Sequence, residues 1–154
     1  MGKIKIAVVG AGNCFSSLYQ GLEYYKHHKD TAIPGVMWAD IGGYRPRDIE
    51  VVAVYDVDER KVGNTTAHAV FAKPNCARIF QPKVPEGPIV EMGTVLDGVS
   101  DHMLEQPEDL GFRLADKEPV DIVESLKSSK ADILINYLPV GSQLATEFYA
   151  QAAI

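Results

Sequence analysis

A glycine turn that follows an apolar run at the start of the chain most constrains the fold. Residues 4–9 are mostly apolar and rich in β-branched side chains, which is typical of a strand buried on both faces of a parallel sheet. Gly10 and Gly12 interrupt this run, and apolar residues then recur every three or four positions, which predicts a helix from about Asn13 to His27. Strand, glycine turn and helix in this order predict a dinucleotide-binding unit.

The chemistry of such a turn depends on how closely a ligand can approach the backbone. Gly10 permits a sharp turn, and Gly12 lacks the Cβ that would obstruct a pyrophosphate. The following helix, with Asn13 as its predicted N-cap and Cys14 in its first turn, directs free N–H groups at the phosphates. Phe15 stands at the third glycine position of the full fingerprint, so the helix packs differently on the strand or the turn has another shape. The alternative is an ordinary βα turn of another α/β protein.

An acidic residue ends the second predicted strand, over residues 49–55. Asp56 is placed to accept both hydroxyls of an adenosine ribose and to repel the 2′-phosphate of NADP. It lies farther from the glycines than the usual interval of about 20 residues, because residues 30–48 form an insertion. The alternative is that Asp56 and Asp58 both act as caps, and residues 58–72 are predicted to form a helix that is interrupted at residues 63–66.

The second half of the chain predicts another helix, strand and helix. Residues 77–81 and 89–92 are β-like runs of unassigned pairing, residues 119–130 form a helix, and residues 131–138 form a buried strand. The turn after this strand is predicted to form a second cofactor wall opposite Gly10–Cys14. Its candidate residues are Tyr137, Leu138, Pro139, Val140 and Ser142. Ser142 is interpreted first as the N-cap of the last helix and second as a cofactor contact.

Together these elements predict an α/β fold: a Rossmann-like, doubly wound, mainly parallel sheet with helices on both faces. We expect residues 1–154 to form one NAD-binding domain. A doubly wound domain would place another strand after the last helix. We therefore expect an N-terminal fragment, without the catalytic and oligomerisation domain.

The charge and composition of the chain limit the classes of molecule that it can bind. The formal net charge of −6 argues against nucleic acid or an anionic membrane as the main partner. No apolar run approaches the roughly 20 residues that span a bilayer. The two cysteines, Cys14 and Cys76, form no disulfide framework, which favours a reducing cytoplasm. No cluster of histidine and cysteine has the spacing of metal ligands, so we predict no metal site.

Several blocks resemble the opening of bacterial and archaeal myo-inositol-1-phosphate synthases. They are Gly10–Leu18, Gln20–Tyr25, Pro34–Met37, Arg47–Asp48, Asp56–Asp58, Lys61–Gly63, Thr94–Gly98, Tyr137–Ser142 and Phe148–Gln151. The resemblance covers almost the whole chain. It implies an enzyme that binds NAD and converts D-glucose 6-phosphate to an inositol monophosphate by oxidation, aldol cyclisation and reduction, and it implies a homotetramer.

The resemblance carries over only cofactor positions. These are Gly10, Gly12, Asn13, Cys14, Asp56 and the turn over residues 137–142; the family's catalytic residues lie beyond this chain. Two departures concern the site, because Phe15 replaces a small residue and Asn136 replaces a serine. Two alternatives stay open: an NAD-dependent dehydrogenase of another small substrate, and a non-catalytic module that binds NAD.

Overall fold

A four-stranded parallel sheet organises the protein. The computed structural model describes residues 2–26, 35–99 and 101–154. The strands are β1 (Ile4–Val9), β2 (Ile49–Asp56), β3 (Val90–Met92) and β4 (Ile133–Asn136), in the spatial order β3-β2-β1-β4. The helices are α1 (Asn13–Lys26), α2 (Thr66–Ala69), α3 (Asp101–Leu104), α4 (Ile122–Ser129) and α5 (Gln143–Ala153), with a 3₁₀ turn at Pro46–Asp48.

Helices cover both faces of the sheet, because alternate strand residues point to opposite sides. One face packs against α1 and α2, and the other packs against α4 and α5. The first core contains Ile6, Val8, Val54, Phe15, Tyr19 and Val70. The second contains Ala7, Val9, Tyr55, Ile122 and Tyr149. The predicted doubly wound α/β fold is confirmed.

The strand order places the crevice of the sheet beside β1. The chain runs from β1 to β2 on one side, and β4 later pairs with β1 on the other side. In open α/β sheets, ligands bind at such a reversal, outside the carboxyl ends of the strands. The turns after β1 and β4 therefore meet at the position where the sequence predicted two cofactor walls.

Phe15 explains how α1 packs without the third glycine. Its side chain is fully buried in the first core, and its ring centroid lies 5.5 Å from that of Tyr19. A large apolar side chain thus fills the space between α1 and the sheet. The predicted helix matches α1 as far as Lys26, and His27 lies outside the described residues, as does Pro34.

The predicted helix over residues 58–72 is wrong, since only Thr66–Ala69 is helical. The carboxylate of Asp58 accepts hydrogen bonds from the backbone and side chain of Arg60 and from the backbone N–H of Arg113. These bonds stabilise a compact turn, joined to a segment more than 50 residues away in sequence.

The β-like run over residues 77–81 forms no strand. The buried side chain of Gln20 takes the place of a neighbouring strand, because its Oε1 accepts from the backbone N–H groups of Phe80 and Gln81. Its Nε2 donates to the carbonyl of Arg78 at 3.3 Å. The other run supplies β3, which pairs in parallel with β2.

Candidate functional site

Gly10 lets the turns after β1 and β4 touch. Its φ is +92°, and a Cβ at this position would lie 2.8 Å from the carbonyl oxygen of Tyr137. Its N–H donates to the carbonyl of Tyr55 at 2.9 Å, which fixes the turn to β2. Both the backbone angle and the close approach require glycine here.

Gly12 differs from Gly10, because a Cβ built on it meets nothing within 4 Å. The side of Gly12 that a side chain would occupy is open. Its carbonyl accepts the first helical hydrogen bond, from the N–H of Ser16 at 2.9 Å, so Gly12 is the N-cap of α1. An open main-chain surface therefore lies at the N-terminus of a 14-residue helix.

Asn13 is not the N-cap that the sequence predicted. It is the first helical residue, and its side chain binds the segment after α2 instead. Its Oδ1 accepts from the backbone N–H of Cys76 at 2.7 Å, and its Nδ2 donates to the sulfur of Cys76 at 3.4 Å. Cys14 and Cys76 are exposed free thiols.

Asp56 lies at the glycine turn. Its Oδ2 accepts from the N–H of Ala11 at 2.6 Å, and its Oδ1 accepts from the N–H groups of Val57 and Asp58 at 2.8 and 2.9 Å. A carboxylate offers about four acceptor positions. Three are taken by the backbone, so about one on Oδ2 remains for a ligand.

A buried lysine that the sequence analysis did not single out lies behind the turn. Lys61 is 3% exposed, and its Nζ donates to the carbonyl of Ala11 at 2.9 Å and to Oδ1 of Asn75 at 3.0 Å. Asn75 Nδ2 donates to the same carbonyl at 3.0 Å. Lys61 and Asn75 belong to no periodic pattern of apolar residues, so the sequence does not indicate that either side chain is removed from solvent.

The turn after β4 is stabilised by Asn136, the residue that stands where a serine was expected. Its Oδ1 accepts from the N–H of Leu138 at 2.8 Å, and its Nδ2 donates to Thr146 at 2.9 Å. The backbone of Tyr137 contacts Gly10, whereas Pro139 and Val140 are exposed. The turn thus offers an exposed surface beside Gly10.

Ser142 occupies the N-cap position of α5, but its side chain makes no capping bond. Asp97 takes that role, accepting from the N–H groups of Leu144 and Ala145 at 2.7 and 2.9 Å. Although burial opposes ionisation of Asp97, these backbone donors lower its pKa. The prediction that Ser142 is the N-cap of α5 is therefore confirmed for its position, but the capping hydrogen bonds come from the carboxylate of Asp97 in a distant loop.

The hydroxyl of Ser142 is buried and has no hydrogen-bond partner among the described residues. It lies against Gly98, where an added Cβ would collide with it. Replacing Ser142 by alanine removes an unsatisfied buried group, so we expect the free energy of unfolding to rise by about 1 kcal/mol. Urea denaturation measures this change.

Ser125→Ala is the matched control for Ser142→Ala. The Ser125 hydroxyl is satisfied, since it accepts from the hydroxyl of Tyr55 at 2.8 Å and donates to the carboxylate of Glu91. We expect this variant to lose about 1–2 kcal/mol. Equal destabilisation by the two substitutions would contradict the assignment of an unsatisfied Ser142.

Tyr149 joins the loop before Asp97 to α5. Its hydroxyl accepts from the N–H of Thr94 at 3.2 Å, and burial raises the pKa of Tyr149 to about 12.

In the described ranges, no group of three or more histidine, cysteine, aspartate or glutamate residues could hold a metal ion. No helix there has both the length and the apolar character needed to cross a membrane.

Comparison with known proteins extends this picture. No family model matches the sequence. The chain is 44% identical over 153 residues to the inositol-3-phosphate synthase of Mycobacterium tuberculosis, covering 99% of this chain and 40% of that protein. It is 43% identical over 154 residues to the inositol-3-phosphate synthase of Mycolicibacterium smegmatis, covering 99% and 41%.

Two crystal structures share the fold. A protein named Ari2 has a TM-score of 0.77 at 34% identity, covering 98% of this chain and 42% of Ari2. A myo-inositol-1-phosphate synthase-related protein from Thermotoga maritima has a TM-score of 0.65 at 17% identity, covering 88% and 34%, which supports the fold alone. The chain spans about two fifths of the length of its curated relatives. Over that part, the chain is similar to the inositol-3-phosphate synthases.

Proposed function

We propose that this chain binds NAD in the crevice between the turns after β1 and β4. The observation that carries the proposal is the meeting of open main chain at Gly12 with the carboxylate of Asp56. A diphosphate fits the open side of Gly12, where the N-terminus of α1 favours negative charge. The remaining acceptor position on Asp56 takes one ribose hydroxyl, rather than the two expected from the sequence.

The turn after β4 forms the opposite wall of this site. Tyr137 and Leu138 contribute backbone next to Gly10, and Pro139 and Val140 contribute exposed apolar surface. The hydroxyl of Ser142 is covered by Gly98, so we propose contact with the cofactor through the turn rather than through this hydroxyl. Asn13 and Cys14 border the diphosphate side.

The names of the relatives suggest the reaction. We propose that the whole protein is an inositol-3-phosphate synthase that converts D-glucose 6-phosphate to an inositol monophosphate by oxidation, aldol cyclisation and reduction. NAD would supply the reversible acceptance of hydride. The residues of this chain bind and orient the cofactor, and the catalytic groups lie in the part of the relatives that this chain does not span. A homotetramer in the cytoplasm belongs to the same proposal.

Calorimetric titration of the chain with NAD and with NADP tests the cofactor assignment. We expect NAD to bind at least about tenfold more tightly, because Asp56 would face the 2′-phosphate of NADP at the adenosine ribose. Unfolded protein is excluded by a cooperative melting transition before titration. Absence of NAD binding, or a preference for NADP, would contradict the proposal.

A further inference from the structure

The carbonyl of Ala11 accepts hydrogen bonds from two side chains, the buried Lys61 and the half-buried Asn75. Lys61 Nζ and Asn75 Nδ2 lie 2.9 and 3.0 Å from its oxygen. A carbonyl oxygen has two lone pairs, so both are used. Lys61 also donates to Asn75 at 3.0 Å, and the three groups form one closed network behind the glycine turn.

This network fixes the direction of the next N–H group. In a trans peptide, the carbonyl and the N–H of one peptide plane point in opposite directions. The only cis bond in the described residues is Lys73–Pro74, so the Ala11–Gly12 bond is trans. Because the carbonyl of Ala11 points toward the buried Lys61, the N–H of Gly12 points away from Lys61.

A neutral donor could also bind the carbonyl, but Lys61 adds a charge. Its ammonium is nearly inaccessible to solvent, and no carboxylate of the described ranges forms an ion pair with it. A buried charge without a counterion is costly. An anion seated above the turn would offset that cost, since the charge acts over a short distance in a poorly solvated region.

We propose that Lys61 is a positioning residue, which holds the Ala11–Gly12 peptide so that the N–H of Gly12 donates to the diphosphate. This proposal rests on the proposed NAD site, to which it adds the positive charge of Lys61 as a source of electrostatic stabilisation. Lys61 contacts the turn from behind and acts through the peptide. Rotation of this peptide would turn a carbonyl toward the diphosphate and remove a donor.

The experiment compares ligands with and without phosphate. Lys61→Met removes the ammonium at nearly constant volume, and the variant is titrated with NAD by calorimetry and with ADP and adenosine by NMR. We expect the affinities for NAD and ADP to fall about tenfold, the loss of one charge-assisted interaction. The affinity for adenosine should change less than about twofold, because adenosine has no group at Gly12.

Lys117→Met is the matched control. Lys117 also donates to a backbone carbonyl in this region, that of Val62 at 3.4 Å, but it does not contact Ala11. All three affinities should stay within about twofold of the unsubstituted chain. An equal loss of all three ligands in Lys61→Met would assign Lys61 a general structural role and overturn the proposal.

The direction of the Gly12 N–H can also be tested on the unsubstituted chain, so that the result does not depend on the folding of a variant. In the ¹H–¹⁵N spectrum, the amide signal of Gly12 should move on addition of ADP and stay nearly in place with adenosine. A Gly12 signal that ignores ADP would overturn the positioning role while leaving NAD binding intact. If the unsubstituted chain binds neither NAD nor ADP, the proposed function fails and the role of Lys61 fails with it.

Discussion

Replacing Asp58 by alanine is expected to lower the free energy of unfolding by about 3 kcal/mol or more, the cost of breaking a buried ion pair. The Asp58 side chain is 2% exposed and pairs with the guanidinium of Arg60. The same carboxylate accepts from the N–H of Arg113 at 3.0 Å, which joins two distant segments. Urea denaturation measures the loss, with Asp116→Ala as an exposed-carboxylate control that should change stability by less than about 0.5 kcal/mol.

The contribution of Asp58 depends on pH. Burial opposes its ionisation, but the hydrogen bonds from Arg60 and Arg113 outweigh burial, and the pKa of Asp58 is lowered in the folded state. A lowered pKa means that the stabilisation is present above the unfolded pKa of about 3.9 and is lost as the pH falls through the folded value. The difference between the unsubstituted chain and Asp58→Ala should therefore be constant near neutral pH and shrink below about pH 4. A difference that grows on acidification would contradict this ionisation state.

Runs of apolar residues in the sequence predicted the strands β1 and β2, because a strand buried in a parallel sheet is marked by a short apolar run of neighbouring residues. The apolar run over residues 4–9 became β1, and the strand predicted over residues 49–55 became β2, which extends one residue further to Asp56. The meeting of Gly10, Asp56 and Tyr137 at one edge followed from the parallel strands, because their carboxyl ends share that edge.

Contacts between distant segments decided what the sequence could not predict. Asp58 stabilises a turn through Arg113, so of the helix predicted over residues 58–72 only Thr66–Ala69 is helical. Asp97 caps α5 and displaces the Ser142 side chain from that role. Lys61 became a buried donor and Asn75 a half-buried one because the turn after β1 packs against them. In each case a polar side chain binds backbone far away in sequence, and no local pattern records such a bond.

Gly12→Val is expected to lower the affinity for NAD at least about a hundredfold while leaving the fold intact. An added Cβ meets no atom of the protein within 4 Å, and the φ of Gly12 lies outside the positive region. Valine is a poorer N-cap than glycine, so the free energy of unfolding should fall by no more than about 1 kcal/mol. The side chain would instead occupy the volume of the diphosphate, since that ligand needs direct contact with the main chain.

Comparing Gly10→Ala with Gly12→Val separates an effect on folding from an effect on NAD binding. Gly10 is needed for the fold, whereas Gly12 is needed for the ligand. Its φ is +92° and an added Cβ would lie 2.8 Å from the carbonyl of Tyr137, so alanine strains the turn and pushes it away from β4. We expect a lower melting temperature for Gly10→Ala and an almost unchanged one for Gly12→Val, with calorimetry showing the loss of NAD binding in Gly12→Val. Unchanged NAD affinity in a folded Gly12→Val variant would mean that the diphosphate does not lie on this turn. The two glycines of one motif thus have different roles: Gly10 holds two turns of the protein together, and Gly12 keeps the space between the protein and its ligand open.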